Sequence, residues 1–454
     1  MSPRKLPPGD KTFSPLGIVP RFARDPFGFL MEQRRRYGDV LTMQGPLYRP
    51  NLLINDPDLV YQILVTQADH FQKPPLLQRP FLSTFGNGLF FSEGDFWRRQ
   101  RKLMQPAFHH HHINRYGEAM VHHTSAMLQG WQEGQTLDLA AAMRGLTLTI
   151  VVDALFQEDI GPETERFAQA IGVVGEVLAQ QFVQPWLVWL PESFPLPVLR
   201  RKRRAVAELN RIIYGLIAKR RADAAGRTDL LSLLMTAEDE ATGERMSDVQ
   251  LHDEVLTLFI AGHETTALAL TWAFVLLGQT PEVEANLQRE LDAVLAGRAP
   301  TVADLPHLPY TEAVIKETLR LYPPAPGILR EALTTVDLGT LTLEKGDIVW
   351  LIPYFNQRDP RYFDEPERFW PERFAPDESG RPLERRIPRF AYYPFGGGPR
   401  ICIGNGFALL EARLLLATLA QQYRFRLVDG YQPRLKFGAT LGPDGPVPVQ
   451  PIKR

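Results

Sequence analysis

The sequence predicts a mainly α, helix-dominated α+β protein with small β pieces near both ends of the chain. Three observations predict it. Residues 94–325 read mostly as helical pattern. One apolar segment within them is long enough for about 32 residues of uninterrupted helix. Short β-rich runs bounded by glycine and proline stand before residue 55 and after residue 340. No internal repeat or low-complexity linker divides the chain. Residues 1–454 are therefore expected to form one domain, with an N-terminal β-containing lobe over roughly 1–93 and a helical core over 94–454.

Residues 39–43 and 51–54 are β-rich and flank Gly45, Pro46 and Pro50, which suits a hairpin. Ser247 is a candidate N-cap for the long helix, which runs to Gly278. Thr280 and Pro281 then give a cap-plus-proline start to the next one. At 1.5 Å per residue the long helix spans about 48 Å, enough to cross the whole molecule. Pro323, Pro324 and Pro326 end a helix and open an irregular segment. Strands return at 341–343 and 348–351, joined by Lys345 and Gly346. The C-terminal stretch is β-like again, with a turn at Pro443, Asp444 and Gly445.

Composition narrows the function. With 44% hydrophobic and 23% charged residues, the chain can bury a large core, and disordered, collagen-like and disulfide-scaffold classes are excluded. Lysine plus arginine is 51 against 52 for aspartate plus glutamate, so no basic surplus points to nucleic acid. The single cysteine, Cys402, forbids an intramolecular disulfide and any multi-cysteine zinc or iron–sulfur site. No apolar run follows the basic N-terminal residues, so neither a signal peptide nor a membrane anchor is expected. Residues 255–278 are apolar enough to span a bilayer, but His263 and Glu264 inside them favour a core helix. A soluble, cytoplasmic protein is expected.

The segment 395–404 carries the chemistry. Phe395, three glycines, Pro399 and Arg400 make a tight, irregular approach to Cys402, and helical pattern begins just after Gly404. A cysteine near a helix N-terminus feels the positive end of the dipole and unpaired backbone N–H groups, which favour the thiolate. Glycines let the backbone approach a flat ligand closely. Arg400 could pair with an anionic group on that ligand. An isolated cysteine is ordinarily a small buried hydrophobe, but not in such a setting. A phosphate cradle is disfavoured, because the P-loop lysine–serine pair and a strand–GxGxxG–helix unit are both missing.

This segment resembles the haem-binding loop of the cytochrome P450 superfamily, Phe-x-x-Gly-x-Arg-x-Cys-x-Gly, at every defined position. The resemblance implies the P450 fold, haem b as cofactor and Cys402 as thiolate ligand of the iron, with Phe395 and Gly404 shaping the loop. Further motifs in the family's order extend the likeness over nearly the whole chain, from residues 6–9 to the C-terminal β region. Glu317 and Arg320, followed by the proline group and by Arg373 in a Phe-Trp-Pro-Glu-Arg-Phe run, match a buried structural triad. Alone, a Glu-x-x-Arg pair is ordinarily solvated; burial needs a fully hydrogen-bonded cluster.

Residues 261–266 read Ala-Gly-His-Glu-Thr-Thr midway along the long helix. In the family the matching acid and alcohol deliver protons to bound dioxygen, which points to Glu264 and Thr265 as catalytic residues. Ala261 would lie over the haem face, Gly262 would let the helix open or admit a ligand, and His263 would be packed rather than a metal ligand. Trp97 and Arg101, one helical turn apart, fall at positions that bind a haem propionate. Arg330 and Arg400 would complete that donor set.

The reaction implied is insertion of one oxygen atom from O2 into a C–H or C=C bond. NAD(P)H-derived electrons would arrive through a ferredoxin or flavodoxin and its reductase. No fused reductase is expected after Arg454, and a monomer is expected. Arg98, Arg99 and Lys102 lie on the helix that faces electron donors in the family; a solvated face is the simpler account of them. The histidines at 109–112 read as a surface turn, and the basic run 200–204 as the solvated face of an amphipathic helix. Segments 72–91, 171–194, 258–261, 325–329 and 439–441 would shape the substrate site. Their Phe81, Phe85, Phe90, Phe182 and Trp186 argue for an apolar terpenoid, steroid, carotenoid or fatty acid. A peroxide-driven peroxygenase, a haem-thiolate carrier or sensor without turnover, and an isomerase or dehydratase using a peroxide already in its substrate are the alternatives. The Glu264–Thr265 pair argues against the first.

Overall fold

Strands Val40–Met43 and Asn51–Ile54 pair antiparallel, Val40 opposite Ile54 and Met43 opposite Asn51. In the computed structural model the described residues are 6–10, 19–43, 49–157, 162–183, 187, 190–223, 227–240, 242–438 and 440–454. The turn expected at Gly45 and Pro46 lies outside them, as do Trp186, Ala439 and the side chain of Phe182. The chain divides into two compact units, each assembled from separated segments: 1–75 with 316–402 and 435–442, and 76–315 with 403–434 and 443–454.

The first unit is built on a five-stranded sheet. Ile348–Leu351 lies parallel to Asn51–Ile54, Ile328–Ala332 lies antiparallel to it, and Phe71–Gln72 closes the edge. Alternation sends Leu52 and Ile54 into one core with Val60, Ile63 and Val349. It sends Leu53 to the other face with Phe29, Leu30 and Phe355. Burial of both faces is why Leu52–Leu53–Ile54 reads as a continuous apolar run. The strands expected at 341–343 and 348–351 both form but do not pair with each other. Thr342–Leu343 pairs with Val336–Asp337 instead, burying Val336 against Leu343.

The second unit is mostly helical. Its central helix, Asp248–Gln279, has 32 residues and begins at a reciprocal capping box. The Gln250 N–H donates to Ser247 Oγ at 3.3 Å and the Ser247 N–H donates to Gln250 Oε1 at 2.8 Å. The helix is apolar nearly all round, as a helix surrounded by protein must be. It packs on Leu139–Phe156 and Pro197–Ala222 and is buried at most positions. By length and composition both it and Leu139–Phe156 could cross a membrane. About 72% and 67% of their apolar windows are buried inside the protein, as core helices require.

The central helix does not open at Gly262. The helix is unbroken there, and a Cβ at Gly262 would lie 3.1 Å from Val151 Cγ2, so the glycine serves the close crossing of these two helices. Helix Asn405–Gln422 and a three-stranded sheet of Leu137–Asp138, Pro448–Lys453 and Tyr423–Leu427 complete this unit.

Candidate active site

In the first unit the cysteine loop is shaped by three consecutive glycines. Gly396 and Gly398 have φ of +71° and +67°, where a side chain is strained. A Cβ on Gly398 would lie 1.8 Å from the Leu64 carbonyl oxygen, and one on Gly397 would strike the Phe390 ring. The Cys402 N–H donates to the Phe395 carbonyl at 3.0 Å, and the Ile401 N–H to the Gly398 carbonyl at 3.1 Å. These bonds fold 395–402 back on itself and leave Cys402 exposed, with Phe395 and Arg400 half-buried beside it. Gly404 stands at the N-cap of Asn405–Gln422 without a side-chain cap.

Behind the loop lies the expected triad. Glu317 Oε2 accepts from Arg320 Nε at 2.7 Å, and Glu317 Oε1 accepts from Arg373 Nε at 3.0 Å and the Trp370 N–H at 2.9 Å. Glu317 and Arg320 are wholly buried and Arg373 nearly so. Arg320 also donates to Glu317 Oε1 and to the carbonyls of Gln357, Pro366 and Arg368, and Arg373 to those of Asp364, Glu365 and Arg368, so every nitrogen of both buried cations has an acceptor. Burial still pushes the Arg373 guanidinium down from its ordinary value, against the pull of Glu317.

Gln357, which sequence reasoning missed, joins the triad to the loop. Its amide donates to the Leu319 and Arg320 carbonyls at 2.9 and 3.0 Å, and its Oε1 accepts from the Tyr393 N–H at 3.0 Å. The signal was present as four polar residues, 356–359, soon after the apolar strand Ile348–Leu351. Arg330 stands on strand Ile328–Ala332, half-buried and opposite Val349.

In the second unit the central helix changes character between 260 and 265. Leu251 to Thr257 and Thr266 to Leu277 are mostly buried, but Ala261 is exposed and Gly262, Glu264 and Thr265 are partly so. The Thr265 hydroxyl donates to the Ala261 carbonyl at 2.7 Å, which leaves its oxygen as an acceptor. His263 is buried, and its Nδ1–H donates to the Phe259 carbonyl at 2.7 Å, so it is packed as expected. Trp97 and Arg101 share one face of Gly94–Met104, both half-buried, with Trp97 against the hydrophobic core.

The neighbouring cations are less available than the sequence suggested. Arg98, Arg99 and Lys102 meet Asp95, Glu244 and Glu240 at 3.6, 3.0 and 3.5 Å. Of the basic run 200–204, Lys202 is buried and pairs with Glu192 at 2.7 Å. Histidines 109–111 are exposed, and no cluster of three metal-ligating side chains occurs among the described residues.

The cytochrome P450 family profile matches residues 7–447. The chain belongs to the cytochrome P450 family. As a P450 it is a monooxygenase, and the family implies haem. Cyclooctatin synthase from Streptomyces melanosporofaciens is 40% identical over 93% of this chain and 90% of its own length. Cyclooctat-9-en-7-ol 5-monooxygenase from the same organism is 37% identical over 91% and 88%. Pentalenene oxygenase from Streptomyces avermitilis is 37% identical over 90% and 89%. The residues of this P450 fit the cofactor on their own geometry. The three glycines seat the loop tightly against Ile328, Phe390 and Leu64, and from it an exposed thiol projects with the half-buried Arg400 two residues away, a sulfur ligand and a cation suited to an iron porphyrin and its carboxylates.

Proposed function

We propose that this P450 oxygenates a terpenoid, by hydroxylation or epoxidation, with one atom of O2 entering the substrate and the other leaving as water. NAD(P)H would supply the two electrons through a separate ferredoxin or flavodoxin and its reductase. The observation that carries the reading is the glycine-shaped loop that closes on Phe395 and leaves Cys402 exposed. The names of two relatives, for pentalenene and for cyclooctat-9-en-7-ol, support an unsaturated, largely hydrocarbon substrate. One catalytic domain spanning the chain, acting as a cytoplasmic monomer, is part of the same reading.

Haem, when bound, supplies the redox chemistry that activates O2. Cys402 would hold it as a thiolate, stabilised by the positive end of the helix that begins at Asn405. Trp97, Arg101, Arg330 and Arg400 would donate to its two carboxylates. Thr265 already gives its proton to Ala261, so its oxygen can accept a hydrogen bond from a water and orient it. Glu264, on the accessible stretch of the same helix, can pass protons from solvent to that water. Glu317, Arg320 and Arg373 act at a distance, fixing the backbone from which the loop springs.

The test begins with the reduced carbonyl complex of purified protein, whose Soret band should show the strong red shift of thiolate ligation and lose it in Cys402→Ala. Turnover of a terpenoid panel with a surrogate ferredoxin system should then give products 16 Da heavier than substrate in ordinary O2 and 18 Da heavier in 18O2. An imidazole-like band in the intact protein, or label arriving from water, would overturn the proposal.

A further inference from the structure

Residues 86–91 join helix Pro75–Phe85 to helix Gly94–Met104 and carry part of an aromatic cluster. The Phe91 ring stacks on Phe81 and Phe85 at 5.7 and 5.9 Å, and meets Phe90 edge-on at 4.9 Å. Phe90 itself is 59% exposed. Glycine at 86 and 88 gives this segment conformational freedom, and its own backbone bonds run from the Gly86 N–H to the Leu82 carbonyl and from the Phe91 and Ser92 N–H groups to the Gly88 carbonyl.

Two consecutive carboxylates of the central helix hold the amides between these bonds, those of Asn87 and Leu89. The Asn87 N–H donates to Asp253 Oδ2 at 2.7 Å, and the Leu89 N–H donates to Glu254 Oε2 at 2.8 Å. The glycines are what permit this approach. A Cβ on Gly86 would lie 2.0 Å from Asp253 Oδ1, and one on Gly88 would lie 2.2 Å from Thr257 Oγ1. The second oxygen of Asp253 faces His252 Nδ1 at 3.0 Å, and His252 Nε2 faces Asn210 Oδ1 at 2.9 Å on helix Pro197–Ala222. Tyr214 of that helix stacks on the His252 ring at 4.4 Å. Glu254 is wholly buried, and its Oε1 has no hydrogen-bond partner. Burial, reinforced by the charge of Asp253, pushes its carboxyl up to about 8 against the opposing Leu89 N–H.

We propose that Asp253 and Glu254 are positioning residues for substrate selection, clamping residues 86–91 in one geometry on the central helix so that the cluster of Phe81, Phe85, Phe90 and Phe91 presents one fixed apolar surface that discriminates among apolar substrates. This rests on the apolar-substrate reading above. Glu254 stands eleven residues before Thr265, about 16 Å along the helix at 1.5 Å per residue, so it acts through the loop rather than on the reacting atoms. A fully buried carboxyl with no solvent contact is an expensive way to hold one amide unless the position of that amide matters.

The test compares haem-loaded wild type with Glu254→Leu, Glu254→Gln and Asp253→Ala in two measurements. One is amide hydrogen exchange over 86–92, with the central helix as internal control. The other is titration of the low-to-high-spin shift with apolar compounds graded in size. In Glu254→Leu, exchange over 86–92 should rise at least tenfold while the central helix stays protected. The preferred compound should lose about tenfold in affinity, and the spread across the panel should narrow. Glu254→Gln keeps an acceptor and should restore both; Asp253→Ala should resemble Glu254→Leu. Unchanged exchange over 86–92, exchange that rises equally throughout, or faster loop exchange with the same ranking of compounds would each overturn the proposal. A wild type that shifts with no compound overturns the apolar-substrate reading itself, and is told apart by the exchange result.

Discussion

Glu317 accepts two hydrogen bonds from Arg320, at 2.7 and 2.8 Å, and neither side chain touches solvent. The pair is one helical turn apart, a spacing that on a surface would contribute a few tenths of a kcal/mol. Here it holds Arg373, the Trp370 amide and, through Gln357, the backbone leading to the cysteine loop. Removing one member of such a cluster leaves buried charge uncompensated. Glu317→Ala should cost about 3–5 kcal/mol and be read as a lower denaturation midpoint and a lower yield of haem-loaded protein.

Gly398 is a sharper probe of the loop. Its φ is +67°, and a Cβ added there would lie 1.8 Å from the Leu64 carbonyl oxygen, which leaves no room for alanine. Gly398→Ala should lower haem loading and broaden the Soret band. Gly172→Ala, in helix Pro162–Val183 with nothing within 4 Å, should be neutral or stabilise by about 0.5–1 kcal/mol. Absorbance per protein separates the two outcomes.

Stability should fall as pH rises from about 5 to about 8. Glu411 is wholly buried, and burial pushes its carboxyl up to about 8, only partly offset by the Thr266 side chain. Glu254 is raised to about the same value. Over this window the unfolded chain sheds protons that the folded protein retains, so each rise in pH favours unfolding. Glu411→Gln should flatten the pH dependence and gain most over wild type near pH 8. Chemical denaturation at pH 5, 6.5 and 8 measures the slope.

Thr265→Ala removes the hydroxyl that donates to Ala261 and lies on the accessible stretch of the central helix. The fold should be unaffected, since the helix is continuous and the side chain is not core. NAD(P)H should still be consumed, but product per NAD(P)H should drop severalfold, with peroxide released in its place. Product and peroxide yields measured together check this.

The sequence by itself determined the family, the single candidate sulfur ligand, the long helix and its Ser247 cap, because these depend on local residue types at fixed spacings. Phe395, Arg400, Cys402 and Gly404 are within ten residues of one another, and local chemistry (a thiol at a helix start, a nearby cation and turn glycines) explains their pattern. It also placed the strands at 40–43 and 51–54, through β-rich runs beside turn residues. Only the tertiary structure decided the rest. Thr342–Leu343 pairs with Val336–Asp337 because its partner is chosen by burial, to which strand propensity is blind. Gly262 serves a helix crossing because Val151, over a hundred residues earlier, sits against it. Asp253, Glu254 and Gln357 looked like ordinary polar residues. Their importance comes from amides and carbonyls brought to them from 36 to 166 positions away, and one-dimensional spacing carries no record of a contact that only folding creates.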